Sequence, residues 1–385
     1  MVELNRRSFL KCSLAATGGM LLPNILPGGS FLSSSGNAAA SPSAVGLSHV
    51  EAKYYKKLEY KEIECQLCPR KCKVGDRERG YCGCRENQGG TYYTLVHSYP
   101  CYGCAHEDPI EKKPFFHFLP GTQAFSIATA GCNMNCKFCQ NWEISQVRPE
   151  QIRNDYLPPE DVAAYAQETG SKSIAYTYSE PTVFYEYMLD TAIAGRKKGL
   201  KSVVVTAGYI NHDPLMELIK EVDAIKVDFK AFTEKYYEEI CHAKLKPVMD
   251  TLVDLSKSGI WYEIVYLMVP TLNDDMKNIR EMCKWMVTDL GKDVPLHFTR
   301  FTPLYLLKNL PPTPVSSLEK AREIAIGEGM NFVYIGNVPG HEGENTYCPK
   351  CKKMVVARIG FTITEMNLKN GKCKFCGKAI PGVWE

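Results

Sequence analysis

Three cysteines, Cys132, Cys136 and Cys139, stand in one short stretch, Gly131-Cys132-Asn133-Met134-Asn135-Cys136-Lys137-Phe138-Cys139, with C-x3-C-x2-C spacing. Thiolates are soft ligands suited to iron–sulfur clusters, zinc or copper(I). A structural zinc or an ordinary four-iron cube takes four protein ligands, so three thiols with no fourth at ligand distance leave one position open. In an iron–sulfur cube that position is an iron able to bind a small molecule. The chain carries its own contrast, because Cys-Lys-Phe-Cys recurs at 373–376 and is matched there by a second C-x2-C pair, Cys348 and Cys351. Cys348, Cys351, Cys373 and Cys376 read as a closed four-thiolate knuckle site for zinc, with a rubredoxin-like iron as the alternative. The segment between the pairs, 352–372, is one residue longer than the usual zinc spacing.

The three-cysteine loop, with aromatic Phe138 before its last cysteine, resembles the cluster loop of radical S-adenosylmethionine (SAM) enzymes. The segments Asp108-Pro109-Ile110-Glu111-Lys112-Lys113-Pro114, His117-Phe118-Leu119-Pro120-Gly121 and Gln140-Asn141-Trp142-Glu143-Ile144-Ser145 resemble the radical SAM member of the AmmeMemoRadiSam system. That family is related to the activases of glycyl-radical enzymes, such as pyruvate formate-lyase-activating enzymes. The resemblance covers nearly the whole chain after its first segment. It implies a [4Fe–4S] cluster on Cys132, Cys136 and Cys139 whose open iron is chelated by SAM. It further implies reductive cleavage of SAM to a 5′-deoxyadenosyl radical that takes hydrogen from a substrate the sequence does not identify. A low-potential electron donor is required, and Memo-like and Ammecr-like proteins are the implied partners. Two alternatives stand beside this reading. One is an activase acting on a glycine of a partner protein; the other is a non-catalytic electron-transfer or metal-binding protein.

Such a loop needs a scaffold. Beyond it, short apolar runs alternate with helical stretches, the pattern of βα units and a parallel sheet. Candidate strands lie at 125–129, 173–177, 202–206, 224–229, 262–268, 296–300 and 332–335, with helices at 159–169, 182–198, 214–220 and 278–290. Six or seven units suggest a partial (β/α)6-type TIM barrel, an α/β core whose chemistry gathers at the carboxyl ends of the strands. Its expected limits are 121–340, with a Cys-rich N-terminal module at 41–120 and a zinc-ribbon-like or rubredoxin-like module at 341–385.

The strand ends supply the remaining candidates. Ser179-Glu180-Pro181 follows the second strand; in related enzymes a Gly-Gly-Glu-Pro segment at this place binds the SAM ammonium, and Glu180-Pro181 survive from it. A carboxylate is what a cationic amine requires, although Glu180 also suits a helix N-terminus. Thr206 with Ala207-Gly208-Tyr209 resembles the segment approaching the ribose, and Asp228-Phe229-Lys230 resembles the Asp-x-Lys that lines the SAM pocket of the activases. His297 is a weaker candidate, since a lone strand histidine is more often a core group. Asn337, after a glycine, is a candidate reader of adenine or carboxylate. Cys241 and Cys283 each stand alone and read as small hydrophobes.

The chain has 385 residues and 17 cysteines, and their C-x2-C groupings favour metal over a disulfide framework. Cys65, Cys68, Cys72 and Cys82 match the N-terminal pattern of the resembled family, for zinc or a second cluster, with disulfides formed after export as the other option. Cys84 is extra to that pattern, and Cys101 and Cys104 are further candidates for the same module. A net charge of +3 gives no argument for a nucleic-acid partner. At the start, Asn5-Arg6-Arg7-Ser8-Phe9-Leu10-Lys11 and a short apolar run resemble a twin-arginine export signal over 1–40, with Ala38-Ala39-Ala40 a candidate cleavage site. The run is too short for a transmembrane segment. Export and radical SAM chemistry pull in opposite directions, because SAM and low-potential electrons are cytoplasmic supplies; a non-functional leader would leave the protein in the cytoplasm.

Overall fold

The computed structural model describes residues 47–385, which form one compact unit. The twin-arginine-type leader and its cleavage site lie outside the described residues. The centre is an eight-stranded sheet in which spatial order follows chain order. Its strands are β1 (His106–Pro109), β2 (Gln123–Ile127), β3 (Ser173–Tyr176), β4 (Lys201–Thr206), β5 (Ala224–Asp228), β6 (Trp261–Met268), β7 (Leu296–Arg300) and β8 (Val333–Gly336). Strand β1 pairs antiparallel with β2, and every later pairing is parallel.

Parallel neighbours need a crossover, usually a helix. Those after β2 include Pro159–Glu168, Tyr185–Lys197, His212–Leu218, Leu245–Ser258, Met276–Trp285 and Val315–Gly327. In Leu245–Ser258 the buried residues Val248, Thr251, Leu252 and Leu255 make a stripe with three- and four-residue steps, and Gly259 ends the helix at φ +79°. Met276–Trp285 is capped by the Asp275 carboxylate, which accepts from the Asn278 N–H at 3.0 Å. Cys283 lies buried in its apolar stripe with Ile279 and Met282, the small hydrophobe expected.

Side chains alternate across the strands. One face sends Phe125, Ile127, Ile174, Tyr176, Val204, Ile225, Val227 and Ile264 into the core shared with the helices. The other offers small residues, Ala124, Ala175, Val203 and Ala224, against which Ile110, Phe115, Phe118 and Leu119 pack. The small side chains make room for this segment, and burying a Phe contributes roughly 2–3 kcal/mol.

The seven expected strands occur with shifts of one or two residues. Strand β1 was not among them, because a four-residue strand rich in charge and ending in proline lacks an apolar period.

Two small three-stranded sheets precede the central one: Val50–Glu51, Arg85–Gln88 and Thr91–Thr94, and Tyr55–Lys57, Ile63–Cys65 and Lys73–Val74. After β8, Thr346–Tyr347, Met354–Ile359 and Thr362–Met366 form another. The chain end returns to the segment after β1: Val383 exchanges hydrogen bonds with His117 and Leu119, both at 2.7 Å. His117 is buried and bridges the modules. The Pro381 carbonyl can only accept, so Nδ1 donates to it at 2.6 Å, leaving Nε2 to accept from the Tyr334 hydroxyl. Glu263 accepts the N–H groups of Phe116 and His117 at 3.1 and 2.8 Å.

His297 belongs to this network and not to the strand-end residues among which it was expected. Its Nε2 lies 2.8 Å from Glu263, and its ring stacks on Tyr334 with centroids 4.9 Å apart. It is the second residue of β7, so alternation put it on the right face but at the wrong depth. Among the described residues, no helix is long and apolar enough to cross a membrane.

Candidate functional site

The three-cysteine loop leaves the carboxyl end of β2. Gly131, at φ +95°, turns the chain into Cys132. Cys136 is buried, and Cys132 and Cys139 are half-buried. The Met134 N–H points at the Cys132 sulfur at 3.3 Å, and the Ser145 hydroxyl lies 3.2 Å from the Cys139 sulfur. The loop is held from outside by backbone bonds from Asn135 to Cys241 (3.1 Å) and from Lys137 to Ile240 (2.9 Å). Arg70 donates to the Asn133 carbonyl.

Glu180 faces this loop from the end of β3. Its Oε1 accepts from the Thr182 N–H (3.1 Å), the Thr182 hydroxyl (2.8 Å) and the Thr206 hydroxyl (2.5 Å), and its Oε2 from the Ala207 N–H (2.8 Å). A carboxylate has about four lone-pair sites, so these bonds occupy its capacity. Glu180 therefore clamps the segments after β3 and β4 together, where the sequence suggested a direct ligand for an amine. Thr206 is one arm of the clamp. Burial, then the nearby Glu180 charge, pushes the Cys132 thiol well above its ordinary range. That protonation belongs to the metal-free loop, because coordination deprotonates a thiol.

Buried polar atoms without partners remain at the loop and the strand end: the Ser179 hydroxyl and the side-chain oxygens of Asn133 and Asn135. Native interiors rarely leave such groups unmatched unless a ligand, ion or water meets them. Asn141 ties the loop to β3 by donating to the Tyr178 carbonyl at 2.8 Å.

At the end of β5, Asp228 lies between two lysines. Lys226 donates to it, and Lys230 Nζ is 3.7 Å away. Burial would raise the Asp228 carboxyl, but Lys226 and Lys230 hold it below its ordinary value. Lys230 also sits 5.6 Å above the Phe138 ring, joining β5 to the cysteine loop. Asn337, at φ +61°, is exposed and donates to the Arg300 carbonyl at 3.1 Å, spanning the ends of β7 and β8.

Several residues escaped the sequence reading. Lys226 shares a strand face with Asp228, and the alternation Lys-x-Asp-x-Lys was its available signal. Cys241 was expected to be an isolated hydrophobe; its buried thiol instead donates to the Cys136 sulfur. Nothing in its helical neighbourhood announces that. Beside β1, Asp108 accepts from Lys112, Lys113 and Tyr178. Burial, partly offset by Asp108, draws the Lys113 amine down to about 8.

Two further cysteine groups flank the sheet. In the tail, Cys348 and Cys376 lie 3.6 Å apart, and Cys351 and Cys373 3.7 Å apart, with all four sulfurs within 4.8 Å of one another. Zinc–sulfur bonds of about 2.3 Å at the tetrahedral angle set sulfurs about 3.8 Å apart, so the spacing fits one tetrahedral ion. Against the cost of burial, the backbone N–H groups of Phe375 and Cys376 draw the Cys373 thiol down to about 7. At the other end, Cys65, Cys68, Cys72 and Cys82 line one pocket with Arg70, Tyr81, Tyr92 and Asn133. Cys84 does not line it. Its thiol donates to the Cys82 sulfur and draws that group down to about 6. Cys101 and Cys104 do not line it either; they face each other near the end of β2, where the Cys101 N–H bonds the Ala128 carbonyl at 2.8 Å.

Residues 126–284 match the Radical SAM superfamily. The chain is 44% identical over 332 residues to an uncharacterized protein of Methanocaldococcus jannaschii, a match covering 86% of this chain and 98% of that relative. Over 158 residues it is 23% identical to the pyruvate formate-lyase-activating enzyme of Clostridium pasteurianum, covering 40% of this chain and 64% of that one. A solved radical SAM methyltransferase from Sphaerobacter thermophilus aligns with a TM-score of 0.44 at 16% identity, over 59% of this chain and 71% of that one. The chain belongs to the radical SAM superfamily, with similarity to pyruvate formate-lyase-activating enzymes. That membership implies a [4Fe–4S] cluster and SAM. The three thiols and the unpartnered Ser179 and Asn135 oxygens beside them fit such a pair.

Proposed function

We propose that this chain is a radical SAM enzyme whose Cys132, Cys136 and Cys139 hold a [4Fe–4S] cluster and whose strand ends hold SAM. When bound, the cluster supplies the electron that splits SAM into methionine and a 5′-deoxyadenosyl radical, which abstracts hydrogen from an unidentified substrate. The protein's task is to orient and to exclude water. Glu180 keeps the segments after β3 and β4 in register, and Ser179 and Asn135 offer polar atoms to the ligand. Asp228 and Lys230 set charge beside Phe138. The observation that carries this reading is the three-thiol loop at the end of β2, facing the clamped ends of the next two strands.

The finer elements belong to the same proposal. The sheet is a partial (β/α)6 barrel, the tail carries zinc, and the protein works in an AmmeMemoRadiSam system with Memo-like and Ammecr-like partners and a low-potential electron donor. The twin-arginine-type leader directs export. Electron paramagnetic resonance tests the core of the reading: adding SAM to the reduced protein should reshape the cluster signal. Cys136→Ala should lack that response, and a wild-type spectrum indifferent to SAM contradicts the proposal.

A further inference from the structure

The N-terminal tetrad carries a second inference, which goes beyond the reading above. The chain contains two standards for reading cysteine spacing. The tail thiols close to within 4.8 Å of one another, as one ion requires. The loop thiols Cys132, Cys136 and Cys139 are not among the groups that do so, and they are the set to which superfamily membership assigns a four-iron cluster. Cys65, Cys68, Cys72 and Cys82 do not close to that distance either, yet all four line one pocket of about 310 Å³. Every thiol of the tetrad faces the same space, with room between them for several atoms.

The lining supports the same conclusion. Leu67, Tyr92 and Val183 give the pocket apolar walls, while Arg70 and Arg85 bring positive charge. Arg85 is buried and paired with Glu186 at 2.5 Å, so its position is fixed. Four thiolates around a cube carry net negative charge, and buried guanidinium groups offset it. Cys84 hands a hydrogen bond to Cys82, the kind of contact to a ligating sulfur that tunes a metal site. The pocket also adjoins the first cluster loop: Asn133 lines it, and the Cys82 backbone abuts Gly131.

We propose that Cys65, Cys68, Cys72 and Cys82 hold a second four-iron cluster, closed by four thiolates, which exchanges single electrons and binds no SAM. A closed cube has no free iron for a chelating ligand, so its chemistry is the gain or loss of one electron, supplied by a low-potential one-electron reductant. No bond at the irons forms or breaks.

The test uses the full chain, reconstituted anaerobically with iron and sulfide, in three forms. Wild type should hold about four more irons per chain than Cys65→Ala/Cys68→Ala, since each cube contributes about four. The tail metal cancels in that difference. The complementary variant Cys132→Ala/Cys136→Ala/Cys139→Ala should keep a cluster that dithionite reduces by one electron, with a resonance signal unchanged by SAM. Zinc in place of iron at the tetrad, or equal iron in wild type and the tetrad variant, overturns the inference. A SAM-sensitive signal in the loop variant overturns it too. If that variant fails to fold, the iron difference still decides. Should wild type respond to SAM in no way while the tetrad signal persists, the radical SAM reading falls and this inference stands.

Discussion

The carbonyl oxygen of Cys82 lies 2.6 Å from the point where a Cβ on Gly131 would stand. The Cys84 sulfur is 2.8 Å from the same point, and Gly131 holds φ at +95°. The N-terminal cysteine module and the cluster loop thus meet backbone to backbone, one residue before Cys132. A methyl there would meet a carbonyl that cannot swing aside, in a conformation that already disfavours any side chain. Gly131→Ala should destabilise the protein by about 1–3 kcal/mol and lower its iron content. Chemical denaturation and iron analysis check this; wild-type values in both would mean that the contact is not tight.

Glu180 makes a different kind of test, because it touches the protein and not the cluster. Glu180→Gln keeps the shape but sets an amide NH2 against donors such as the Thr206 hydroxyl or the Ala207 N–H. Losing charge-assisted bonds and opposing two donors costs about 2–4 kcal/mol. SAM should bind at least tenfold more weakly while cluster assembly stays intact. Titrating SAM against the cluster signal measures the first effect and iron analysis the second. Unchanged affinity would remove Glu180 from the site.

The tail invites a metal test of its own. With sulfur pairs at 3.6 and 3.7 Å, wild type should bind one tightly held ion, zinc by preference, that survives gel filtration. Cys376→Ser should lose it and lower the Tm of the tail, leaving the visible absorbance of the loop cluster unchanged. A tail without metal in carefully prepared protein contradicts the assignment.

Acid stability should depend on His117. Burial pushes its imidazole down to about 4, below the ordinary 6.5. Between these values the unfolded chain takes up a proton that the folded chain refuses, so stability falls as pH drops from 6.5 towards 4. The loss from this group approaches about 3 kcal/mol at the lower end. His297, also held below its usual value by burial, acts in the same direction. His117→Gln can still donate to Pro381 and accept from Tyr334, so its Tm should depend less steeply on pH over this window. Parallel slopes for the two proteins would rule His117 out as the sensitive group.

Much of the scaffold was legible from the chain alone. Cysteine spacing marked three metal-type groups, and apolar runs located the seven strands after β1 because period and punctuation are local properties. Depth along a strand is not local. His297 and Thr206 both fall on expected strands, but one ends among aromatic rings beside Glu263 and the other against Glu180. The Glu180 clamp was hidden for a related reason: its donors come from residues 182, 206 and 207, on segments joined only after folding. Cys241 and Cys84 were invisible as sulfur neighbours because neither has a cysteine at ligand spacing that predicts its contact.

The most direct measurement is single-pot turnover. Protein reconstituted anaerobically, reduced with dithionite and given SAM should form 5′-deoxyadenosine and methionine in equal amounts, slowly even without substrate. Alanine at Cys132, Cys136 or Cys139 should abolish both products. A wild-type protein that holds a reducible four-iron cluster at these cysteines and yet yields no 5′-deoxyadenosine would contradict the radical SAM reading and leave an electron carrier in its place.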